Sequence, residues 1–404
     1  MVIKMLDSPF KEATAVLERI EQNGHEAYFV GGCVRDHLLD RKIRDVDIAT
    51  SATPQFVQNI FDKVIPVGIE HGTVIVRHLD TSYEVTTFRI DGTYSDSRHP
   101  DHVAFINKID KDLERRDFTI NAMAMNKQGQ IIDLYHGRED LNKRIIRTVG
   151  DGYERFKEDP LRMVRAVRFA SQLGFTLDIE TKNQIRSLNK EINTVAVERI
   201  AVEMEKFFAG DYISEAMKEL KTTELFNNLP VFKYQPSLIN LLPAEQTPLH
   251  SLAEMFAFFH FLYPQISVNT WIKEWKASNQ SKRNTIKLVE AVTEFRNNGL
   301  ENWIVYQLPS DLYAGFIRVL TALSEHAIPT LQEMRTIVSG LPIENRQELE
   351  IDGNDLIKLF PDVTKGPWMQ KLLNQVEYLV VMRKLTNKKE KIREWLKWNP
   401  PEVN

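Results

Sequence analysis

Residues 28–36 read Tyr-Phe-Val-Gly-Gly-Cys-Val-Arg-Asp, and residues 44–47 read Arg-Asp-Val-Asp. The apolar triplet Tyr28-Phe29-Val30 is a short strand that stops at Gly31-Gly32, and a helix starts near Cys33. Two glycines between strand and helix let the backbone approach a ligand closely, and the following helix start offers free N–H groups to an anion. Arg35 adds a fixed positive charge suited to phosphate. The next strand covers 46–49. Residues two apart on a strand share a face, so the Asp45 and Asp47 carboxylates converge. Two like charges on one face repel unless a cation sits between them, and hard oxygen donors of this kind suit Mg²⁺. Gly-x-x-x-x-Gly-Lys-Ser/Thr and Gly-x-Gly-x-x-Gly are both missing from the chain, which excludes the two commonest phosphate-binding loops.

Outward from this stretch the first third mixes helix and strand. Residues 10–22 have helical spacing, with Ala13, Val16, Leu17 and Ile20 on one face and Gly24 as the stop. Thr53-Pro54 opens another helix, with proline in its first turn. Segments 64–67, 73–77 and 83–88 are β-rich, and His71-Gly72 turns between the first two. From Asp151 strand signals nearly vanish and helical spacing continues to the end. The expected fold is therefore α+β, an N-terminal head with a small mixed β-sheet followed by an all-α C-terminal region.

Composition narrows the partners. The 404 residues carry a net charge of only −4, so any nucleic-acid surface is a local patch. One concentration of charge is the C-terminal run Arg383, Lys384, Lys388, Lys389, Lys391, Arg393 and Lys397, opposed by Glu390 and Glu394. A solvated helix face is the plainer reading of such a run, and a phosphate-contacting surface the functional one. The single cysteine, Cys33, excludes internal disulfides and fits a reducing compartment. With no signal peptide and no membrane-length apolar run, a cytoplasmic protein is expected.

A second group of charges follows the head: Glu158, Asp159, Arg162, Arg165 and Arg168. On one continuous helix the first four would span an arc of about 120°. On an isolated helix a salt-bridge ladder is the plainer reading of such a group. Arginine here exceeds acid, and a nucleotide site is the functional reading that the resemblance given below favours. A helical metal phosphohydrolase is disfavoured, because the all-α part has no His-Asp dipeptide.

Taken in order, these segments resemble the class II CCA-adding enzymes and bacterial poly(A) polymerases of the nucleotidyltransferase superfamily. The likeness runs on through Arg115-Arg116-Asp117-Phe118-Thr119-Ile120-Asn121-Ala122 and Glu158-Asp159-Pro160-Leu161-Arg162. It continues in Val197-Glu198-Arg199-Ile200, Gly353-Asn354-Asp355-Leu356 and Gly366-Pro367-Trp368. The resemblance implies that Asp45 and Asp47 bind metal, with Glu84 as a third catalytic acid. It implies that Gly32, Arg35, Arg116, Asp117, Asp159, Arg162, Arg165 and Arg168 bind nucleotide, Asp117 through the ribose 2′-hydroxyl. Substrates would be CTP and ATP with the acceptor stem and 3′ end of tRNA, with no membrane partner, and a homodimer is compatible with the likeness. The implied division is a catalytic head at 1–149, a base-reading neck at 150–209, a helical body at 210–300 and a tRNA-binding tail at 301–404.

Base choice follows from hydrogen-bond inventory. Cytosine and adenine each offer an amino donor beside a ring-nitrogen acceptor, whereas uracil and guanine offer the reverse. Asp159 can only accept and Arg162 can only donate, so together they complement C and A. Relatives that add only CC lack a flexible loop ahead of the Arg-Arg-Asp segment. Residues 89–100 are a candidate for that loop, which favours full CCA addition over CC addition or a poly(A) polymerase.

Overall fold

The computed structural model describes residues 8–92 and 102–401. It divides into two compact units, Met1–Ala244 and Glu245–Asn404. The division falls inside the segment that the sequence reading assigns to the body.

Unit 1 begins with helix α1 (Ser8–Gln22). Phe10, Ala13, Val16, Leu17 and Ile20 are fully buried, the face expected from their spacing. The strands follow as β1 (Ala27–Val30), β2 (Asp47–Thr50), β3 (Val64–Gly68), β4 (Thr73–His78) and β5 (Thr81–Thr87). Then come β6 (Arg89–Asp91), β7 (Val103–Phe105), β8 (Met123–Met125) and β9 (Ile131–Asp133). Seven of them form one sheet in the order β3-β4-β5-β2-β1-β8-β9. Its pairs are antiparallel except β2 with β5, which run parallel. The mixed sheet is as expected.

Helix α2 (Gly32–Leu38) leaves the end of β1, and α3 (Pro54–Ile60) starts at Thr53, whose side chain accepts from the Phe56 N–H. Strands β6 and β7 make a separate two-stranded ribbon, Arg89 opposite Phe105. The candidate loop at 89–100 thus begins as strand, and residues 93–100 of it lie outside the described residues. Helices α4 (Ile109–Glu114) and α5 (Gly137–Lys143) complete the head.

The next segment departs from the sequence reading. Helix α6 (Gly152–Glu158) ends before the charged cluster does, and α7 (Leu161–Leu173) begins afresh after Pro160. Asp159 lies between them with extended backbone, φ −143° and ψ 99°. The residue before a proline is pushed out of the helical region by the proline ring, so one helix cannot carry Glu158 through Arg168. The arc drawn for a continuous helix does not apply to Glu158 and Asp159. Helices α8 (Ile179–Leu188) and α9 (Val197–Phe208) follow, and α7 and α9 pack together. A short parallel pairing of 145–146 with 176–177 also lies in this stretch, where no strand was expected.

Unit 2 is helical. Helix Leu252–Leu262 is apolar nearly all round, as a helix enclosed by neighbours should be, and packs on Asn279–Asn298 and Tyr313–Ala322. Its one buried acid, Glu254, receives Arg318 through both carboxylate oxygens at 2.8 and 2.9 Å. A second core gathers Ile343, Leu356, Leu372, Val376, Val380, Ile392 and Leu396. Asp352 closes a capping box with Asp355 at the start of Gly353–Leu359, and Pro367 occupies the first turn of Pro367–Val381. Among the described residues no helix is long and apolar enough to cross a membrane.

Candidate active site

One cleft of about 780 Å³ in unit 1 collects every residue to which the resemblance gives a catalytic, metal-binding or nucleotide-binding role. Its lining includes Gly32 and Arg35 from the β1–α2 turn, Asp45 and Asp47 at β2, and Glu84 on β5. Arg116 and Asp117 enter after α4, while Asp159, Arg162, Arg165 and Arg168 come from the α6–α7 break and α7. Nine cationic side chains line the cleft against five carboxylates. An anion of several charges is the complement of such a surface.

The turn after β1 is built for close approach. Gly31 has φ +73°, and a Cβ there would stand 3.0 Å from Arg116 Nη1. Only glycine meets both demands. Strand β2 starts at Asp47, so Asp45 precedes it, yet burial alternates over 45–48. Val46 and Ile48 are buried while the more exposed Asp45 and Asp47 line the cleft. The parallel pairing then brings Asp47 directly beside Glu84 on β5. Burial and the neighbouring Glu84 charge push the Asp47 carboxyl up to about 6, with Arg116 opposing them and Asp45 adding to the rise. This is a pocket of negative charge that a cation would relieve. Among the described residues no three His, Cys, Asp or Glu side chains could cage a metal unaided. A pair of carboxylates that leaves other positions to water and phosphate oxygens is the donor set Mg²⁺ takes, so the residues fit such an ion.

Opposite these acids lies the arginine side. Asp117 accepts four donors: Arg165 Nε at 2.8 Å and Nη2 at 2.6 Å on one oxygen, the Phe118 N–H at 2.9 Å and Asn121 Nδ2 at 3.3 Å on the other. Burial alone would raise its carboxyl, but the Arg165 guanidinium, with Arg162 and the Asn121 amide, outweighs burial and holds it at about 2. In this conformation Asp117 serves Arg165. Arg116 is held by Asp112 at 3.2 Å, and its buried Nε has no hydrogen-bond partner among the described residues, an orphaned donor beside the cleft. Arg168 sits with its Nε 2.6 Å from Glu203, and burial brings it down to about 10. Arg35 donates to Asn121 Oδ1 at 2.8 Å and also grips Asp36.

Asp159 and Arg162 line the cleft together but are not bonded to each other. One Asp159 oxygen takes Arg199 Nη2 at 2.8 Å and the other takes the Leu161 N–H at 3.1 Å. Arg162 donates to Glu158 at 2.8 Å. Sequence reasoning assigned nothing to Arg199, Lys206, Phe169 or Asp112, although all but Asp112 line the cleft. Arg199 stands in the quoted Val-Glu-Arg-Ile segment, so a signal was there. Asp112 is a fully buried acid flanked by Arg115 and Arg116, which is legible only once α4 is in place.

A mixed sheet that sets carboxylates side by side, facing an arginine-rich cleft, defines a nucleotidyltransferase. Residues 27–147 match the model described as Poly A polymerase head domain, 174–235 a probable RNA and SrmB-binding site of polymerase A, and 248–396 a putative tRNA nucleotidyltransferase domain 2. The chain belongs to the family of CCA-adding enzymes. It is 48% identical to the CCA-adding enzyme of Oceanobacillus iheyensis over 99% of this chain and 100% of that one. It is 41% identical to that of Bacillus mycoides over 96% and 98%. The crystal structure of Bacillus stearothermophilus CCA-adding enzyme in complex with CTP superimposes with a TM-score of 0.87, at 35% identity and 98% coverage of both chains.

Proposed function

We propose that this enzyme adds C, C and A in turn to the 3′ end of tRNA from CTP and ATP, releasing pyrophosphate and using no nucleic-acid template. The observation that carries the reading is the cleft itself, in which paired acids on β2 and β5 oppose a bank of arginines beside a base-sized acceptor and donor, Asp159 and Arg162.

Asp45 and Asp47, with Glu84 alongside, would hold Mg²⁺. When bound, that ion neutralises charge developing on the phosphate and lowers the pKa of the attacking hydroxyl. Arg35, Arg116, Arg165 and Arg168 bind the triphosphate, and Gly31-Gly32 let it lie against the backbone. Asp117 orients Arg165 and turns an oxygen to the ribose hydroxyl only when one of its four present donors moves away. Asp159 accepts the amino group common to cytosine and adenine, and Arg162 donates to the ring nitrogen beside it. Each must share or exchange its present partner, Arg199 or Glu158, to do so. Uracil and guanine would leave buried groups unpaired, which a desolvated site rejects strongly.

The helical regions would carry tRNA, with 150–209 reading the base, 210–300 a body and 301–404 the tail. The enzyme works in the cytoplasm, where a lone thiol stays reduced. Incubating purified protein with tRNA lacking CCA and each labelled NTP in turn tests the reading. Two C residues and then one A are expected. A run of A from ATP alone would instead make it a poly(A) polymerase, and arrest after CC a CC-adding enzyme.

A further inference from the structure

Phe169 is a cleft residue to which the proposed chemistry gives no task. It lies on α7, is 4% exposed, and rests edge-on against Phe118 at 5.7 Å. Three guanidinium groups converge on its ring. Arg168 is 3.8 Å from the ring centroid, Arg35 is 5.3 Å and Arg165 is 5.6 Å. All three fall within the distance at which the electron-rich ring face attracts a cation. They come from separate places, Arg35 from α2 and the others from α7.

Bringing three like charges to one spot in a partly desolvated cleft is unfavourable without compensation. Carboxylates supply part of it: Asp36 for Arg35, Asp117 for Arg165, Glu203 for Arg168. Asp36 and Asp117 each bond one arginine of the set and Glu203 reaches two, Arg168 and, at 4.0 Å, Arg165, whereas the ring lies against all three. An aromatic face differs from a carboxylate in a way that matters here. It attracts guanidinium groups without neutralising them and takes few of their N–H donors. The donors not already given to Asp36, Asn121, Asp117, Gln172 and Glu203 thus stay available to a polyanion.

We propose that Phe169 is a positioning residue for triphosphate binding, its ring gathering Arg35, Arg165 and Arg168 into one phosphate-facing set. The inference rests on the reading that these arginines hold the triphosphate. The ring touches neither base nor reacting atoms in this role. Its loss should therefore weaken affinity for the polyphosphate part of the substrate and leave base choice alone.

The test uses the full-length enzyme and inorganic tripolyphosphate as probe, with affinity measured by calorimetry and by competition against CTP. Phe169 is replaced by phenylalanines carrying one, two and three ring fluorines, which keep shape and burial while draining the ring face. Affinity for tripolyphosphate and for CTP should fall stepwise, by about tenfold at the most fluorinated ring. The ratio of CTP to UTP incorporation should not move, and Phe169→Tyr should bind within about twofold of the parent. Unchanged tripolyphosphate affinity across the fluorinated series would overturn the proposal and reduce Phe169 to core packing. Arg168→Gln separates the two levels. If it leaves tripolyphosphate affinity intact, the phosphate assignment of the arginines fails, and the Phe169 proposal with it. If it weakens binding while the fluorinated series does not, only the Phe169 proposal fails.

Discussion

The cleft of unit 1 and the C-terminal helix of unit 2, Lys389–Trp398, with the residues leading into it, are both crowded with charge, and they spend it differently. In the cleft, Asp47 stands beside Glu84 with Asp45 near, and its carboxyl is driven up to about 6. At the C-terminus several of the charges are matched. Lys389 and Arg393 both reach Asp355 at 2.8 and 3.1 Å, Lys391 pairs with Glu394, and Arg383 caps the Gly340 carbonyl. The Gly-Asn-Asp-Leu segment that carries a family likeness is thus also a capping box and a salt-bridge anchor. A motif can mark chemistry or architecture, and the difference lies in whether its charges are left in conflict or satisfied by neighbours.

The contrast can be broken most sharply at Asp47. Asp47→Ala should lower the rate of both C and A addition by at least about 10²–10³, the size expected for losing one preorganised electrostatic contact. Its Tm should hold or rise, because a repelled charge is removed. Turnover close to the parent would end the metal assignment. The mirror image is Glu254→Ala in unit 2, which strands Arg318. It should cost about 3 kcal/mol of stability by chemical denaturation, toward the low end for a broken buried pair because Arg318 keeps some solvent. The rate per folded molecule should stay near the parent's, and a collapse of that rate without lost stability would show that the pair serves catalysis.

Base reading gives the next effect in size. Asp159→Ala and Arg162→Ala should each remove about 1–3 kcal/mol of discrimination of CTP and ATP against UTP and GTP. The double mutant should lose less than the sum, since either single change leaves its partner group unpaired. Measuring kcat/KM for all four NTPs decides it, and an equal fall for all four would assign base reading elsewhere. The smallest effect belongs to the C-terminal helix. Lys388 and Lys397 are exposed and make no ion pair among the described residues. Changing both to Glu should reduce the slope of log K for tRNA against log salt by about 1–2. An unchanged slope would make this face merely solvated.

Much of this was legible along the chain because it depends on neighbours in sequence. The buried stripe of α1, the glycine turn after Val30 and the facing of Asp45 and Asp47 all follow from local periodicity. The α6–α7 break was also written locally, in Asp159-Pro160, but a helical wheel over the charges hides what the proline ring forbids. The adjacency of Asp47 and Glu84 was not written anywhere. It needs a parallel pairing between strands 37 residues apart, and nothing in either strand states its partner. The clamp of Arg199 on Asp159 spans 40 positions for the same reason. Sequence named many of the residues that line the cleft but not Arg199, Lys206 or Phe169, and the fold decided which of them hold one another.

Cys33 offers a practical consequence. It is the only cysteine in the chain, 3% exposed, bonded to the Val30 carbonyl, and burial pushes its thiol up to about 12. At neutral pH the thiol stays protonated, and maleimides and disulfide reagents need the thiolate. The native protein is therefore its own cysteine-silent background. A single cysteine introduced at an exposed position of either unit can carry a fluorophore or spin label without first mutating Cys33. One label in each unit would let the separation between units be followed through the successive additions of C, C and A.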